Sequence, residues 1–337
     1  MGLNIANQTN RNNNFVIMNK RGVLKMEKQH TTTENVMKGI FWSAMASTLW
    51  GFSGVIMQFV AKNEAVPTQW FISVRTLFAG ILLLAIGSIH VGKHVFDVWK
   101  SKESIIRLFI YAIFGLAVNM STFYVSIQEG NAATATILQY LAPIFIVLYG
   151  LIFMKKKPLK ADVISFLLAL VGVFLIITNG HIGELSVPLT AVIFGLLSAV
   201  SAAVYYSVPK PLTKENSPFV VLGWGTLIAG IGFNAYHPFW SDAPKITPGI
   251  VLGIGGVILV GTIFAFSAVL YSLKFAPSEV SSIVDAVEPV VTIILSMIVF
   301  HLIPTPIEAL GAIIIIVSIY FLQRSHQKRD KKDPDIR

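Results

Sequence analysis

The stretch GLAVNMSTFYVSIQEGNAATATILQYLAPIF, residues 115–145, lies without a gap on GTIFAFSAVLYSLKFAPSEVSSIVDAVEPVV, residues 261–291, at a fixed offset of 146 residues. This register sets Pro143 on Pro289, and carried further it sets Pro158 on Pro304 and Asp162 on Glu308. At a slightly different offset Ser43-Ala44 falls on Ser198-Ala199, and Trp50 on Tyr205. A chain that matches itself over this length is an internal duplication, and the unit duplicated decides the architecture.

Apolar runs recur outward from these segments between residues 37 and 322, and each is long enough for the roughly 20 helical residues that cross a bilayer core. The spans expected are 38–60, 69–90, 105–127, 132–153, 161–178, 188–208, 219–240, 250–273, 278–300 and 306–322. The fold class is therefore all-α and membrane-embedded, with ten transmembrane helices as two five-helix repeats over 38–178 and 188–322. Five spans per repeat is an odd number, so the second repeat is inverted relative to the first. Such a bundle supplies two near-equivalent packings of one site, the geometry alternating access requires. Residues 1–37, polar and asparagine-rich, read as a disordered cytoplasmic tail, and 323–337 as a basic cytoplasmic tail.

Hydrophobic residues make up 54% of the 337 positions and charged residues 13%, about half the share usual in a soluble domain. The net charge of +9 does not mark a nucleic-acid partner, because the basic residues sit in short clusters between apolar runs. In the ten-span frame 23 lysines and arginines fall in the two termini and the even-numbered connections. Two, Lys62 and Lys245, fall in the odd-numbered ones. That asymmetry predicts cytoplasmic N- and C-termini. The chain has no cysteine, which excludes disulfides, thiol catalysis and thiolate metal sites.

Pro143 and Pro289 fall inside the fourth and ninth spans, where each removes a backbone hydrogen bond and predicts a kink. Carbonyls freed there can face a cavity, or the kinks can serve packing alone. Glu288, about ten residues into its span, lies near the midplane, roughly 15 Å deep at 1.5 Å per residue. An ionisable group at that depth costs on the order of 3 kcal/mol on insertion scales, so it should face a cavity, a partner or a ligand. Asp285 is on the same helical face, and paired carboxylates suit a proton site or a cationic-substrate site. The competing reading is a hydrogen-bonded structural glutamate. Arg75 is the basic residue inside a span, and three roles fit it: binding an anionic substrate group, pairing with Glu288, or snorkelling to the outer interface. Trp50, Asn119, Tyr124, Gln139, Tyr140, Tyr205 and Tyr206 combine aromatic walls with amides, as in a small-solute pocket, and equally as in interhelical packing. Trp70 and Trp240, near span ends, read as interfacial anchors. Glycines crowd the seventh and eighth spans and predict close helix contacts, within one subunit or between two.

No Gly-rich phosphate loop, serine-nucleophile motif or HExxH pattern occurs, and His90 and His94 lack an acidic third ligand. The sequence thus predicts no catalytic residue, no metal and no cofactor. Ten spans, a five-helix repeat, Trp50-Gly51, Arg75 and Glu288-Pro289 together resemble the drug/metabolite transporter superfamily, specifically its EamA-type ten-helix exporters, over residues 38–322. The resemblance implies a basket in which the first four helices of each half line a central cavity and the fifth packs peripherally. It also implies a bacterial or archaeal inner membrane, an assembly that is often a homodimer, and export of amino acids, related metabolites or drugs. The expected activity is secondary transport of a small molecule across the bilayer without ATP hydrolysis. An intramembrane lipid-processing enzyme and a non-transporting receptor or regulatory subunit are the alternatives.

Overall fold

The computed structural model describes residues 15–18, 24–27, 33–152, 159–181, 186–272, 275 and 284–332. The helices follow one another as α1 (Thr33–Lys62), α2 (Thr68–Val91), α3 (Lys102–Glu129), α4 (Ala132–Tyr149) and α5 (Lys160–Thr178), then α6 (Leu189–Ser207), α7 (Pro218–Tyr236), α8 (Pro248–Val269), α9 (Val287–Phe300) and α10 (Pro306–Lys332). Among the described residues nine of these are long and apolar enough to cross a membrane, and α9 is apolar but shorter. The first part of the expected span 278–300 lies outside the described residues.

Local chemistry sets the boundaries. Pro218 and Pro248 open α7 and α8, where a missing N–H costs nothing, and Thr247 accepts from the Ile250 N–H at 3.0 Å. Asn131 caps α4 by accepting from the Thr134 N–H at 2.8 Å. The aligned pair Asp162 and Glu308 does the same work in both repeats. Asp162 accepts from the Leu159 N–H at 2.8 Å, and Glu308 accepts from the Thr305 N–H at 2.9 Å.

Regular structure extends into both ends of the chain. Within the tail expected to be disordered, β1 (Phe15–Met18) pairs antiparallel with β2 (Leu24–Glu27), and α1 already begins at Thr33. The apolar run FVIM is the part of that tail able to form a strand. At the other end α10 continues past residue 322 to Lys332, because helical hydrogen bonding does not stop where hydrophobicity does. The anchor expectation fails for Trp70, which is buried and donates its indole N–H to the Phe239 carbonyl at 2.6 Å, whereas Trp240 is exposed.

The contacts between helices repeat across the halves. α2 packs on α7 and α5 on α10, while α1 packs on α8 and α9 just as α6 packs on α3 and α4. That pattern is what a pseudo-two-fold exchanging α1–α5 with α6–α10 produces. Glycines make the self-paired contacts close. A Cβ on Gly80 would meet the Leu227 backbone N at 2.6 Å, and one on Gly230 would meet the Leu77 backbone N at 2.7 Å. At α5–α10, a Cβ on Gly172 would meet the Gly311 carbonyl at 2.7 Å and the converse holds at the same distance. The seventh-span glycines Gly223, Gly225 and Gly230 thus serve contacts within the chain. Exposed leucine, valine, isoleucine and phenylalanine side chains on α5 and α10 give these peripheral helices a face suited to lipid.

Candidate substrate-binding cavity

Backbone irregularities surround the centre of the bundle, and they recur at matching positions. α3 has a π-helical turn at Tyr111–Ala117 and α8 one at Val257–Phe264, which coincide at the 146-residue offset. π-turns widen a helix and redirect its carbonyls, and they occur frequently at functional sites. α4 breaks at residues 140–141 and α9 at 285–286, just before Pro143 and Pro289. These are the turns whose carbonyls lose their donor to a proline three or four residues on.

The irregular segments border an internal cavity of about 100 Å³. α1 contributes Trp50, Ser53 and Met57, α2 Arg75, and α3 Leu116, Asn119, Met120 and Phe123. Gln139 comes from α4, Tyr205 and Tyr206 from α6, Gly261 and Phe266 from α8, and Glu288 from α9. α7 supplies none of this lining, because its glycine face is spent on α2.

Polar side chains tie the cavity wall across the two repeats. Trp50 donates its indole N–H to the Gly261 carbonyl in the α8 π-turn at 2.9 Å. Asn119, just after the α3 π-turn, donates to the Ser198 carbonyl of α6 at 2.9 Å and to Ser201 Oγ at 3.3 Å. Gly51 lets α1 close on α9, since a Cβ there would meet Val291 Cγ1 at 2.8 Å and the Glu288 carbonyl at 3.2 Å. Gly261 does the same beside Ser53, whose Cβ lies 2.6 Å from where its own would stand. The Trp-Gly pair is therefore one hydrogen-bonding wall residue and one close-approach residue.

Arg75 does not snorkel. It is 8% exposed, its Nη1 donates to the Met57 thioether sulfur at 3.4 Å, and its guanidinium lies 6.0 Å from the Phe71 ring centroid. A thioether is a weak acceptor and a ring face weak compensation for a buried cation. Its Nε is buried with no partner, and among the described residues no carboxylate lies within ion-pair distance of it. Arg75 and Glu288 thus face one cavity, a guanidinium and a carboxyl group, without an ion pair between them.

Three expected site residues stand elsewhere. Tyr124 is fully buried, stacks on Phe71 at 4.0 Å between centroids and donates its hydroxyl to the Val66 carbonyl at 3.1 Å. It seals the bundle beyond Arg75, and an aromatic with a hydroxyl suits such a seal as well as a pocket. Tyr124→Phe should lower stability by about 1 kcal/mol, the net worth of one hydrogen bond, while substrate affinity stays at the wild-type value. Thermal melting and a binding titration in detergent check this. Tyr140 sits at the α4 break, packed against the α4, α5 and α10 core with its hydroxyl buried and without a partner. Asp285 lies behind the cavity wall, where Ser47 Oγ of α1 donates to its Oδ1 at 3.1 Å. Conversely Ser53, Met57, Leu116, Met120 and Phe123 line the cavity and escaped the sequence reading. Helical spacing carried the signal: Ser53 and Met57 follow Trp50 by three and seven positions, and Met120 and Phe123 follow Leu116 by four and seven.

A membrane bundle of two inverted helical repeats around a cavity lined by a guanidinium and a carboxyl group has the architecture of a carrier. The chain matches the EamA-like transporter family twice, over residues 37–178 and 189–324, and belongs to that family. The inner membrane transporter YicL of Salmonella typhimurium is 27% identical over 292 residues, covering 87% of this chain and 97% of YicL. The pseudopaline exporter CntI of Pseudomonas aeruginosa (strain UCBPP-PA14) is 24% identical over 67% of this chain and 77% of CntI. One solved crystal structure shares the fold with a TM-score of 0.55 at 17% identity, covering 84% of this chain and 98% of that one.

Proposed function

We propose that this EamA-family transporter moves a small zwitterionic solute across the cytoplasmic membrane, outward, by alternating access. The observation that carries this reading is that Arg75 and Glu288, a basic and an acidic group, line one cavity without pairing with each other. A guanidinium with weak internal partners takes a carboxylate bidentately. Glu288 takes a proton or an ammonium group, and Asp285 behind it adds negative charge. Trp50, Tyr205, Tyr206 and Phe266 supply apolar walls, and Gln139 an amide. Nothing in this reading requires a covalent step. Counterflow into proteoliposomes tests it with three probes: amino acids, the corresponding decarboxylated amines, and the N-acylated acids. Amino acids should exchange and both single-charge series should lag; equal exchange of all three would remove the two-charge reading.

Arg75→Gln should raise the apparent KM at least about tenfold, roughly 1.4 kcal/mol of lost recognition, and Arg75→Lys should recover part of it because a point charge replaces a fork. An unchanged KM in Arg75→Gln would take Arg75 out of the site.

The reading also places both chain termini in the cytoplasm, supported by the 23-to-2 division of lysines and arginines. Reporter fusions after Lys28 and after Gln327 should both report a cytoplasmic location, and an external signal from either would break the ten-span topology.

A further inference from the structure

α9 stands between two spaces. One flank packs on α1 and α4 and carries Glu288 into the central cavity. The other faces α10 across a separate fissure of about 600 Å³. Its walls are Val290, Ile293 and Ile294 of α9 against Ala309, Ala312 and Ile313 of α10, with Ile137 and Ile176 at the back. α10 keeps its close contacts for α5, so the two consecutive helices stay apart.

Both walls belong to apolar helices of a membrane protein, and Ile294 and Ile313 are 51% and 57% exposed, so the fissure opens sideways onto hydrocarbon. Water gains nothing there, because the walls offer it no hydrogen bonds. An empty fissure would forfeit dispersion contacts along both helices. A single acyl chain fits the shape. One end of the fissure is polar, with Asn131, Thr134, Ser186, His301, Thr305 and Glu308, and among the described residues neither lysine nor arginine lines it.

We infer that this fissure between α9 and α10 binds one phospholipid, an acyl chain between the isoleucine walls and a zwitterionic headgroup at the Asn131, Thr305 and Glu308 end. Glu308 already accepts from the Thr305 N–H, which holds the carboxylate at the mouth with lone pairs left for a headgroup ammonium. With the Glu308 carboxylate there and no lysine or arginine in the lining, this end favours a headgroup that carries an ammonium over a purely anionic one. The bound lipid is a spacer that keeps α9 clear of α10.

Native mass spectrometry of the full chain, released from micelles supplied equally with phosphatidylethanolamine and phosphatidylglycerol, tests the site without any transport assay. The wild type should retain one phospholipid per chain, phosphatidylethanolamine at least as often as phosphatidylglycerol. Ala309→Trp fills the fissure from α10 and should lose the lipid. Ile294→Trp fills it from the opposite wall at a half-exposed position, so misfolding of the first variant does not decide the outcome. Both should melt near the wild-type temperature. The site is overturned if the wild type retains no lipid, or if the folded tryptophan variants retain as much as the wild type. Selective retention of phosphatidylglycerol overturns the headgroup assignment. The chain lacks cysteine, so Ile303→Cys gives a single labelling position at the mouth. A lipid-free dimer crosslinked through it would show that a second copy covers the fissure.

Discussion

Glu288→Gln lowers transport about tenfold or more, corresponding to roughly 1.4 kcal/mol, while the protein still inserts and accumulates near the wild-type level. Glutamine keeps the size and most of the hydrogen bonding and removes only the titratable charge. A carboxyl group on the wall of a cavity inside the helix bundle is tolerated where water, a proton or a ligand meets it, so neutralising it damages function before folding. The pH dependence of transport flattens in the variant, because the group that exchanges a proton or an ammonium partner has been removed. Asp285→Asn is the comparison on the same turn. Its carboxylate already accepts from Ser47 and lies outside the cavity lining, so its effect is smaller. Initial rates in proteoliposomes across a pH series, normalised to reconstituted protein, read all of this. Normal transport by Glu288→Gln at every pH, or a defect explained wholly by lost protein, would assign Glu288 to a structural hydrogen bond instead.

Gly80→Val has the largest expected effect on stability. Its new Cβ would stand 2.6 Å from the Leu227 backbone N and 2.7 Å from Leu227 Cα, so the obstacle is main chain that no rotamer change can clear. Overpacking typically costs 1–3 kcal/mol, and with backbone as the obstacle about 3 kcal/mol or more is expected. Separation of α2 from α7 would also open the cross-repeat contact made a turn away at Gly230, so little folded protein should survive extraction. Gly232→Ala on the partner helix α7 is the control. Nothing lies within 4 Å of its Cβ position, and alanine gains about 0.5–1 kcal/mol over glycine inside a helix. Melting by fluorescence-detected size exclusion should separate the two by several degrees in opposite directions; equal behaviour would mean the α2–α7 contact does not limit stability.

Much of the architecture was legible in the chain because bilayer and backbone impose it locally. Twenty apolar residues must span, an odd number of spans must invert the second repeat, and a proline inside a span must break it near residues 140 and 286. The 146-residue offset even aligned two features invisible to hydropathy, the π-turns of α3 and α8 and the caps at Asp162 and Glu308. The candidate site was legible in its charged members, since a carboxylate or guanidinium in a span needs a reason to be there. Aromatic residues carry no such demand. Tyr205 and Tyr206 line the cavity while Tyr124 stacks on Phe71 beside it and Tyr140 packs at the α4 break, a division made by how far each helix rotates about its axis. That rotation is set by contacts between distant residues, such as Gly51 against Val291 and Gly261 against Ser53. By itself the sequence determined the number of helices, their repeat, their breaks and the placing of Arg75 and Glu288 within spans. Only the tertiary structure decided that these two charges share a cavity unpaired and that α9 stands apart from α10, because both depend on packing across segments more than 100 residues apart or on the space it leaves.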